Sequence, residues 1–291
     1  LIDDVSLKFL CHRKAEVRLA AASTCCCLLL RRQSEPTNDP RKASAYSGLV
    51  VDRILGRLVK CAVSDTVDNV RLCIIERLDD RYDRRLCQSH QVLDLFLVLQ
   101  DQNFVIKRSA VRLLGRLSRT NPGSIIPVMR SFLSKIVSEL QCDIDSGQAR
   151  EEAIRVLGVF FKAPELHSLI SPMLPNLISV LRLSENSSPQ LVSVNLETLG
   201  DLASAVGDTM RQWVSTILPP LISVLNDQSS VSKQQTSLRT LGLIASATGY
   251  VIEPYTAYPN LLRSATDILP ATKRAPWPLR REVIRTLGIL G

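Results

Sequence analysis

The chain has 291 residues with 36 Lys and Arg against 28 Asp and Glu, which gives a formal net charge of +8 at pH 7. Hydrophobic residues make up 45% of it and aromatic residues 4%, so it can bury an aliphatic core but offers few platforms on which bases could stack. Its longest apolar run, Leu19 to Leu30, is too short to cross a membrane. The sequence therefore indicates neither a membrane span nor a signal peptide.

The eight cysteines give no metal motif. None of them forms a C-x-x-C pair, and the histidines at 12, 90 and 167 are isolated from one another, so no zinc ligand set can be assembled. The run Cys25 to Cys27 admits a metal or redox interpretation. We favour the simpler one, in which these residues are small apolar side chains on a packed helix. We thus predict no metal and no cofactor.

In chain order, the sequence alternates between apolar-periodic segments and polar turns, which predicts antiparallel helix pairs. A Pro- and Ser-containing loop at about 31–47 interrupts the first pairs. The array is expected to occupy residues 1–291 as a single domain. The predicted pairs, outer helix first, are 1–10 with 15–30, 49–61 with 67–78, 92–99 with 104–117, 125–140 with 148–161, 169–181 with 189–206, 210–225 with 231–247, and 258–269 with 279–291.

The dipeptide Leu-Gly recurs near the end of each later inner helix. Its glycines are Gly115, Gly158, Gly200, Gly242 and Gly288, with steps of 42 to 46 residues. A period of this length is typical of a solenoid of helical pairs. Glycine inside a helix costs roughly 1 kcal/mol relative to alanine, so we expect a neighbouring helix to pass too close for a Cβ atom. Chance recurrence is the alternative, and Leu55-Gly56 is an out-of-phase example of it.

Acidic residues in the turns lie six positions before a basic residue of the next helix. The pairs of positions are Asp65 and Arg71, Asp101 and Lys107, and Asp227 and Lys233. An aspartate in such a turn can accept a hydrogen bond from a free backbone N–H at the start of the helix. The base, one or two turns later, can reach the acid of the adjoining repeat. The sequence therefore predicts a structural ladder of ion pairs.

Two outer helices share a proline motif. Leu174-Pro175-Asn176-Leu177-Ile178 matches Leu218-Pro219-Pro220-Leu221-Ile222 at a spacing of 44 residues. Proline inside a helix removes a hydrogen bond and bends the axis. We expect both outer helices to bend at these positions.

Four arginines form the strongest candidate binding surface. Arg108, Arg112, Arg116 and Arg119 follow one another at helical spacing, and at 100° per residue they fall within about 80° of one another. This pattern predicts a basic ridge on the exposed side of an inner helix. Three interpretations are open: a solvated face without a ligand, a contact for an acidic partner segment, or a site for nucleic acid or inositol phosphate. We favour the first, and specific nucleic-acid binding is the least favoured.

The repeat unit resembles the HEAT repeat, because it combines L-P-x-L-I-x-x-L on the first helix, Asp in the turn and V-R before A-x-x-x-L-G on the second. The fold expected from this is an all-α HEAT-repeat α-solenoid of about seven antiparallel pairs, an armadillo-type fold. Longer runs resemble the N-terminal HEAT region of the target of rapamycin (TOR) kinases. These runs are Thr248–Tyr255, Tyr258–Leu262, Arg280–Gly291, Leu78–Asp83, Leu114–Ser118 and Met210–Val214.

The resemblance implies a role in a serine/threonine protein kinase whose catalytic domain lies outside this chain. No glycine-rich loop, H-R-D-type run or D-F-G is present, so we expect no catalytic residues here. In the family the HEAT array is a scaffold for complex assembly and for docking of a Raptor-like or Rictor-like subunit in nutrient and growth signalling. The resemblance also implies a cytoplasmic location, with recruitment of the parent to endomembrane surfaces.

Two other classes of function remain open from the sequence. A HEAT-repeat adaptor of the transport-receptor or phosphatase-scaffold type fits the periodicity equally well but not the longer TOR-like runs. An enzyme in its own right would require a convergent acid, base or nucleophile cluster, which the sequence does not provide.

Overall fold

The computed structural model describes residues 7–31, 40–142, 147–182, 188–227, 229–269 and 275–290, with the backbone alone for 30–31, 40–47 and 253. Helices are the regular elements of these ranges, and no strand occurs in them. The chain forms two compact units, Leu1–Phe132 and Leu133–Gly291. We number helices of seven residues or more.

The first unit contains α1 to α5 and the first part of α6. The helices are α1 (Ala15–Arg31), α2 (Pro40–Ser64), α3 (Asp68–Arg77), α4 (Ser89–Val98), α5 (Phe104–Leu117) and α6 (Pro122–Gln141). A 3-10 turn, Asp80–Tyr82, and a single α-helical turn, Asp83–Leu86, connect α3 to α4.

Helix α3 lies at the centre of the first unit. It packs against α1 on one side and α5 on the other, so α1, α3 and α5 are successive inner helices. The outer helix α2 pairs with α3, α4 pairs with α5, and α2 also packs against α4. Ile74 of α3, Leu55 of α2 and Leu114 of α5 are fully buried between these layers. Each pair thus buries its apolar face against the neighbouring pairs, as in a repeat protein.

The second unit contains the remainder of α6 and six further helices. They are α7 (Gly147–Phe161), α8 (Leu174–Val180), α9 (Pro189–Val206), α10 (Val214–Asn226), α11 (Val231–Thr248) and α12 (Trp277–Leu290). The segments left unnumbered are the 3-10 helices Pro164–Leu166, Ser171–Met173 and Gly207–Trp213 and the α-helices of fewer than seven residues, His167–Ile170, Glu253–Ala257 and Leu261–Thr266.

The inner helices of the second unit stack in chain order. Helix α9 packs against α7 and α11, α11 packs against α12, and the outer helix α10 pairs with α11. The leucines of the Leu-Gly repeat, Leu157, Leu199 and Leu241, are 0%, 4% and 1% exposed. The predicted all-α solenoid and its register are therefore confirmed. The prediction of one array over residues 1–291 stays a prediction.

The close approach expected at the repeated glycines is present at Gly200 and Gly242 but not at Gly158, where an added Cβ atom would lie 3.5 Å from its nearest neighbour. A Cβ atom on Gly200 would lie 2.8 Å from Leu243 Cδ1, and one on Gly242 would lie 3.3 Å from Ile289 Cδ1. A Cβ atom on Gly288 of α12 would meet no atom within 4 Å among the described residues. Glycine therefore permits close packing of α9 on α11 and of α11 on α12.

Several predicted helix boundaries differ from the structure. Helix α2 begins at Pro40, so residues 40–47 of the predicted loop are helical, and residues 32–39 lie outside the described residues. Proline is favoured in the first turn of a helix, where its missing N–H is not needed. The same preference explains Pro175, which lies in the first turn of α8, whereas Pro219 and Pro220 lie inside α10. The predicted bends stay a prediction.

Side chains in the turns define several helix ends. Asn103 accepts a hydrogen bond from the Val105 N–H at 2.8 Å at the start of α5, and Ser188 accepts one from Leu191 at the start of α9. Helix α11 ends at Gly249, whose φ of 66° is accessible to glycine at little cost. These caps define the starts of α5 and α9 and the end of α11.

Candidate functional site

A bidentate ion pair joins the first two repeats. The Arg18 guanidinium of α1 contacts the Asp65 carboxylate at 2.7 and 2.8 Å, and its Nη1 also donates to the His12 carbonyl at 2.9 Å. Asp65 in turn accepts a hydrogen bond from the Val67 N–H at 2.9 Å, just before α3. One carboxylate thus holds the start of α3 and the preceding inner helix together.

The same arrangement recurs one repeat later. Arg71 of α3 contacts the Asp101 carboxylate at 2.7 and 3.0 Å and donates to the Asp65 carbonyl at 2.7 Å. Asp101 accepts a hydrogen bond from the Asn103 N–H at 2.8 Å before α5. The predicted ladder, in which a base reaches the acid of the next repeat, is confirmed for these two ion pairs. We call them the charged rungs, Arg18–Asp65 and Arg71–Asp101.

The side chains of the charged rungs are largely buried. The side chains of Arg71 and Asp101 are 12% and 8% exposed. Burial alone would raise the pKa of Asp65, but the Arg18 guanidinium and the Val67 N–H outweigh it and the pKa lies below its usual value. Hydrogen bonding to Asp101 raises the pKa of Arg71. Both groups are therefore charged at neutral pH, and their role is structural.

In the second unit, Arg150 and Gln234 at the rung position donate to backbone carbonyls instead of to a carboxylate. Arg150 donates to the Leu140 and Val180 carbonyls at 3.0 and 3.3 Å, and Gln234 donates to the Leu225 carbonyl at 3.1 Å. Lys233 pairs with Asp227 of its own turn at 3.1 Å. The prediction that this lysine reaches an adjoining repeat is wrong, because the Asp227 carboxylate in the turn before the same helix lies close enough to pair with it. Hydrogen bonds from Ser229 and Lys233 lower the Asp227 pKa to about 2.

Threonine hydroxyls connect the later inner helices. Thr240 of α11 donates to the Leu196 carbonyl of α9 at 2.7 Å, and Thr286 of α12 donates to the Leu238 carbonyl of α11 at 2.9 Å. Both threonines are buried, at 1% and 3% exposure. We call these the hydroxyl rungs. Sequence reasoning missed them, although the recurrent Thr-Leu-Gly at 198–200, 240–242 and 286–288 is a signal that could have indicated them.

The predicted basic ridge lies on α5 and just after it. Arg112 and Arg119 are exposed and Arg108 is half-buried. Arg116 instead turns towards the connector after α3, where its Nε lies 3.1 Å from both Asp83 carboxylate oxygens and its Nη2 donates to the Leu78 carbonyl at 2.8 Å. Burial raises the pKa of Asp83 despite this arginine. Arg116 therefore holds the connector to α5, and the outward part of the ridge is carried by Arg112 and Arg119.

The cysteines occupy mixed environments. Cys25 and Cys26 are buried, as expected for small apolar side chains on a packed helix, whereas Cys27 is exposed. Burial raises the pKa of Cys26 to about 12, so it stays a thiol at neutral pH. Among the described residues, no three His, Cys, Asp or Glu side chains are grouped so that they could hold a metal ion. In the same residues, no helix is both long enough and apolar enough to span a bilayer.

Solved structures with the same architecture define the class of protein. The structure of Kap121p bound to Nup53p matches 100% of this chain and 29% of that chain, with a TM-score of 0.64 and 15% identity. A structure of importin beta matches 99% of this chain and 42% of that one, with a TM-score of 0.60 and 13% identity. At these identities the likeness concerns the fold alone. The chain is an α-solenoid of the HEAT and armadillo type.

Sequence relatives identify the family. Serine/threonine-protein kinase tor1 of Schizosaccharomyces pombe is 34% identical over 294 residues, covering 100% of this chain and 12% of the relative. Serine/threonine-protein kinase mTor of Drosophila melanogaster is 34% identical and covers 97% of this chain and 11% of the relative. Residues 251–291 match the family described as serine/threonine-protein kinase mTOR domain. The chain belongs to the TOR kinase family and spans about a tenth of the length of these relatives.

Proposed function

We propose that this chain is a non-catalytic scaffold segment of a TOR serine/threonine protein kinase. The observation that carries the proposal is the 34% identity to tor1 along the whole chain, combined with a solenoid fold. The segment supports assembly of the kinase complex and docks a Raptor-like or Rictor-like subunit. Phosphate transfer belongs to a catalytic domain elsewhere in the parent, and the cytoplasmic location is part of the same proposal.

The packing suits such a role. Charged and hydroxyl rungs hold successive inner helices in fixed register within each unit, so the side chains on their outward faces keep fixed spacings. A surface with preset spacing binds a folded partner without paying the ordering cost of a flexible segment. The protein partners include the remainder of the parent kinase.

The basic ridge is the proposed contact for an acidic partner segment. The four residues are Arg108, Arg112, Arg116 and Arg119. Arg112 and Arg119 are exposed to solvent, whereas Arg116 is half-buried beside Asp83, so we assign the intermolecular contact mainly to Arg112 and Arg119. A contact of this kind steers association and weakens as salt is added.

The experiment is a binding titration of this chain with purified Raptor-like and Rictor-like subunits of the source organism. We expect at least one of them to bind, and we expect the double charge reversal Arg112→Glu with Arg119→Glu to slow its association about tenfold at low salt. The matched control is Arg57→Glu with Lys60→Glu on the exposed side of outer helix α2, which changes the net charge equally.

Two results would count against parts of the proposal. Binding that is insensitive to salt and to the ridge reversal would leave the scaffold role intact and remove the ridge from the interface. Failure of both subunits to bind, under conditions in which they bind the parent kinase, would overturn the docking role. ATP hydrolysis or protein phosphorylation by the purified chain would overturn its assignment as non-catalytic.

An adaptor of the transport-receptor type is the alternative class. The solved neighbours include Kap121p and importin beta, but at 15% and 13% identity they support the fold only. The whole-chain sequence match is to TOR kinases, so we retain the scaffold as the proposed function.

A further inference from the structure

An apolar pocket lies between the outer helices α8 and α10 of the second unit. Its volume is about 170 Å³, and Thr216 and Pro220 of α10 form one wall. A cavity of about 150 Å³ lined by apolar side chains can hold a benzene ring, so this pocket matches one large side chain. Its apolar lining comes from Ile178, Leu181, Leu199 and Ile217.

The two helices that flank the pocket carry no charged residue. Helix α8 has the sequence LPNLISV and α10 has VSTILPPLISVLN, although 22% of the chain is charged. Their exposed positions are instead Pro175, Asn176, Ser179, Ser215, Thr216, Pro219, Ser223 and Asn226. The outer helices α2, α4 and α6 all carry charged side chains. Depletion of charge marks the centre of protein interfaces rather than ordinary solvated surface.

The prolines of α10 add hydrogen-bond acceptors beside the pocket. Pro219 and Pro220 have no N–H, so the carbonyls of Ser215 and Thr216 cannot receive the usual bond from the residue four positions later. A partner backbone or side chain that approaches here can donate to them. A protein segment supplies such N–H groups in a regular row.

The edge of the pocket is basic. Arg182, which follows α8, lines the pocket and is exposed to solvent. The chain as a whole has a net charge of +8. An acidic residue next to the inserted side chain would therefore be attracted to the edge, whereas a basic one would be repelled.

We propose that the α8–α10 pocket docks a protein segment that inserts one bulky apolar side chain and places an acidic residue next to it, against Arg182. The inference deepens the proposed scaffold function and rests on it. The apolar side chain supplies most of the affinity by leaving water. The acidic residue sets the orientation of the segment, and the freed carbonyls of α10 accept its N–H groups.

The test uses the full 291-residue chain and a library of random twelve-residue peptides displayed on phage. We expect the selected peptides to share Leu, Phe or Met beside Asp or Glu. Thr216→Arg places a charged side chain at the pocket wall and should weaken their binding at least tenfold, because the apolar contact is lost. The control is Ser232→Arg, an exposed position near the start of α11 outside the pocket.

A charge exchange tests the edge separately. Arg182→Glu should weaken binding of the selected peptides, and replacing their acidic residue with Lys should restore it. Arg182 is exposed, so Arg182→Glu does not disturb the packed interior, and unchanged thermal melting of this variant verifies this. Restored binding is a result that a general loss of structure could not produce.

Several outcomes would overturn the proposal. These are no enrichment from the library, enriched peptides without an apolar residue, and peptides that bind the Thr216→Arg variant as well as the unmodified chain.

Failure of the pocket proposal can be told apart from failure of the proposed scaffold function. If the Raptor-like and Rictor-like subunits bind the Thr216→Arg variant as tightly as the unmodified chain, the pocket proposal is wrong and the scaffold function stands. If peptides occupy the pocket but neither subunit binds, the partner assignment is wrong and the pocket stands.

Discussion

The two compact units join their inner helices by different chemistry. In the first unit, buried Arg–Asp pairs connect α1 to the start of α3 and α3 to the start of α5. In the second unit, threonine hydroxyls connect α9 to α11 and α11 to α12, and glycines let the backbones approach. One repeat register can therefore be held by long charged side chains or by hydroxyl bonds between closely packed helices.

The difference extends to the outer faces. Asp52 of α2 pairs with Arg85 at 2.7 Å on the surface of the first unit, and α4 carries Asp94. In the second unit, α8 and α10 are uncharged and flank an apolar pocket. The outer face of the first unit therefore carries charged side chains, whereas the outer helices α8 and α10 of the second unit present an uncharged surface.

Removing one member of a charged rung is the largest expected perturbation. Asp101→Ala should lower the free energy of unfolding by about 3 kcal/mol, because it removes the more buried of the two carboxylates that pair with the Arg71 guanidinium and leaves only the exposed Asp68. The control is Asp52→Ala, whose partner Arg85 is 38% exposed and which should cost about 0.5 kcal/mol. Urea unfolding measures both, and equal losses would show that the rung is no stronger than a surface pair.

Adding side-chain atoms where α9 packs closely on α11 should have the next largest effect on the free energy of unfolding. Gly200→Val should destabilise by about 2 kcal/mol, because its methyl groups would meet Leu243 and the Thr240 backbone. Gly288→Ala provides the matched control, since a Cβ atom there meets nothing within 4 Å in the described residues. It should stabilise α12 by about 0.5 kcal/mol through helix propensity. A neutral Gly200→Val variant would contradict the tight packing.

Removing a hydroxyl rung should have the smallest effect. Thr240→Val keeps the side-chain shape but loses the bond to the Leu196 carbonyl, which should cost about 1 kcal/mol. In the control, Thr236→Val, the lost bond is to Ser232 within the same helix, and little change is expected. If the two variants unfold alike, the hydroxyl rung does not contribute to the stacking of α9 on α11.

The sequence predicted contacts that depend on short, regular spacing. The six-residue step from Asp65 to Arg71 indicated where acid and base of successive repeats meet, and the Leu-Gly period indicated the buried register. It did not predict the pairing of Arg116 with Asp83, because a helical wheel gives the direction of a side chain but not which connector packs beside it. The pocket was also missed, since it requires two outer helices to meet around Leu199.

The most direct test of this comparison is native-state hydrogen exchange of the unmodified chain as the pH is lowered from about 6 to about 2. The folded-state pKa of Asp65 lies below its usual value of about 4. Its contribution to stability is present above the unfolded-state pKa and is lost as the pH falls through the folded-state pKa.

The pKa of Asp201, in α9, is shifted in the opposite direction to that of Asp65. Burial raises its pKa despite the Lys162 partner, so its contribution is largest below the unfolded-state pKa and is lost as the pH rises through the folded-state value. We predict that amides of α1 and α3 lose protection in acid, while those of α9 and α11, joined by an uncharged hydroxyl rung, keep theirs. Loss of protection at the same pH in both groups, or in α9 and α11 first, would contradict the assignment of charged rungs to the first unit and hydroxyl rungs to the second.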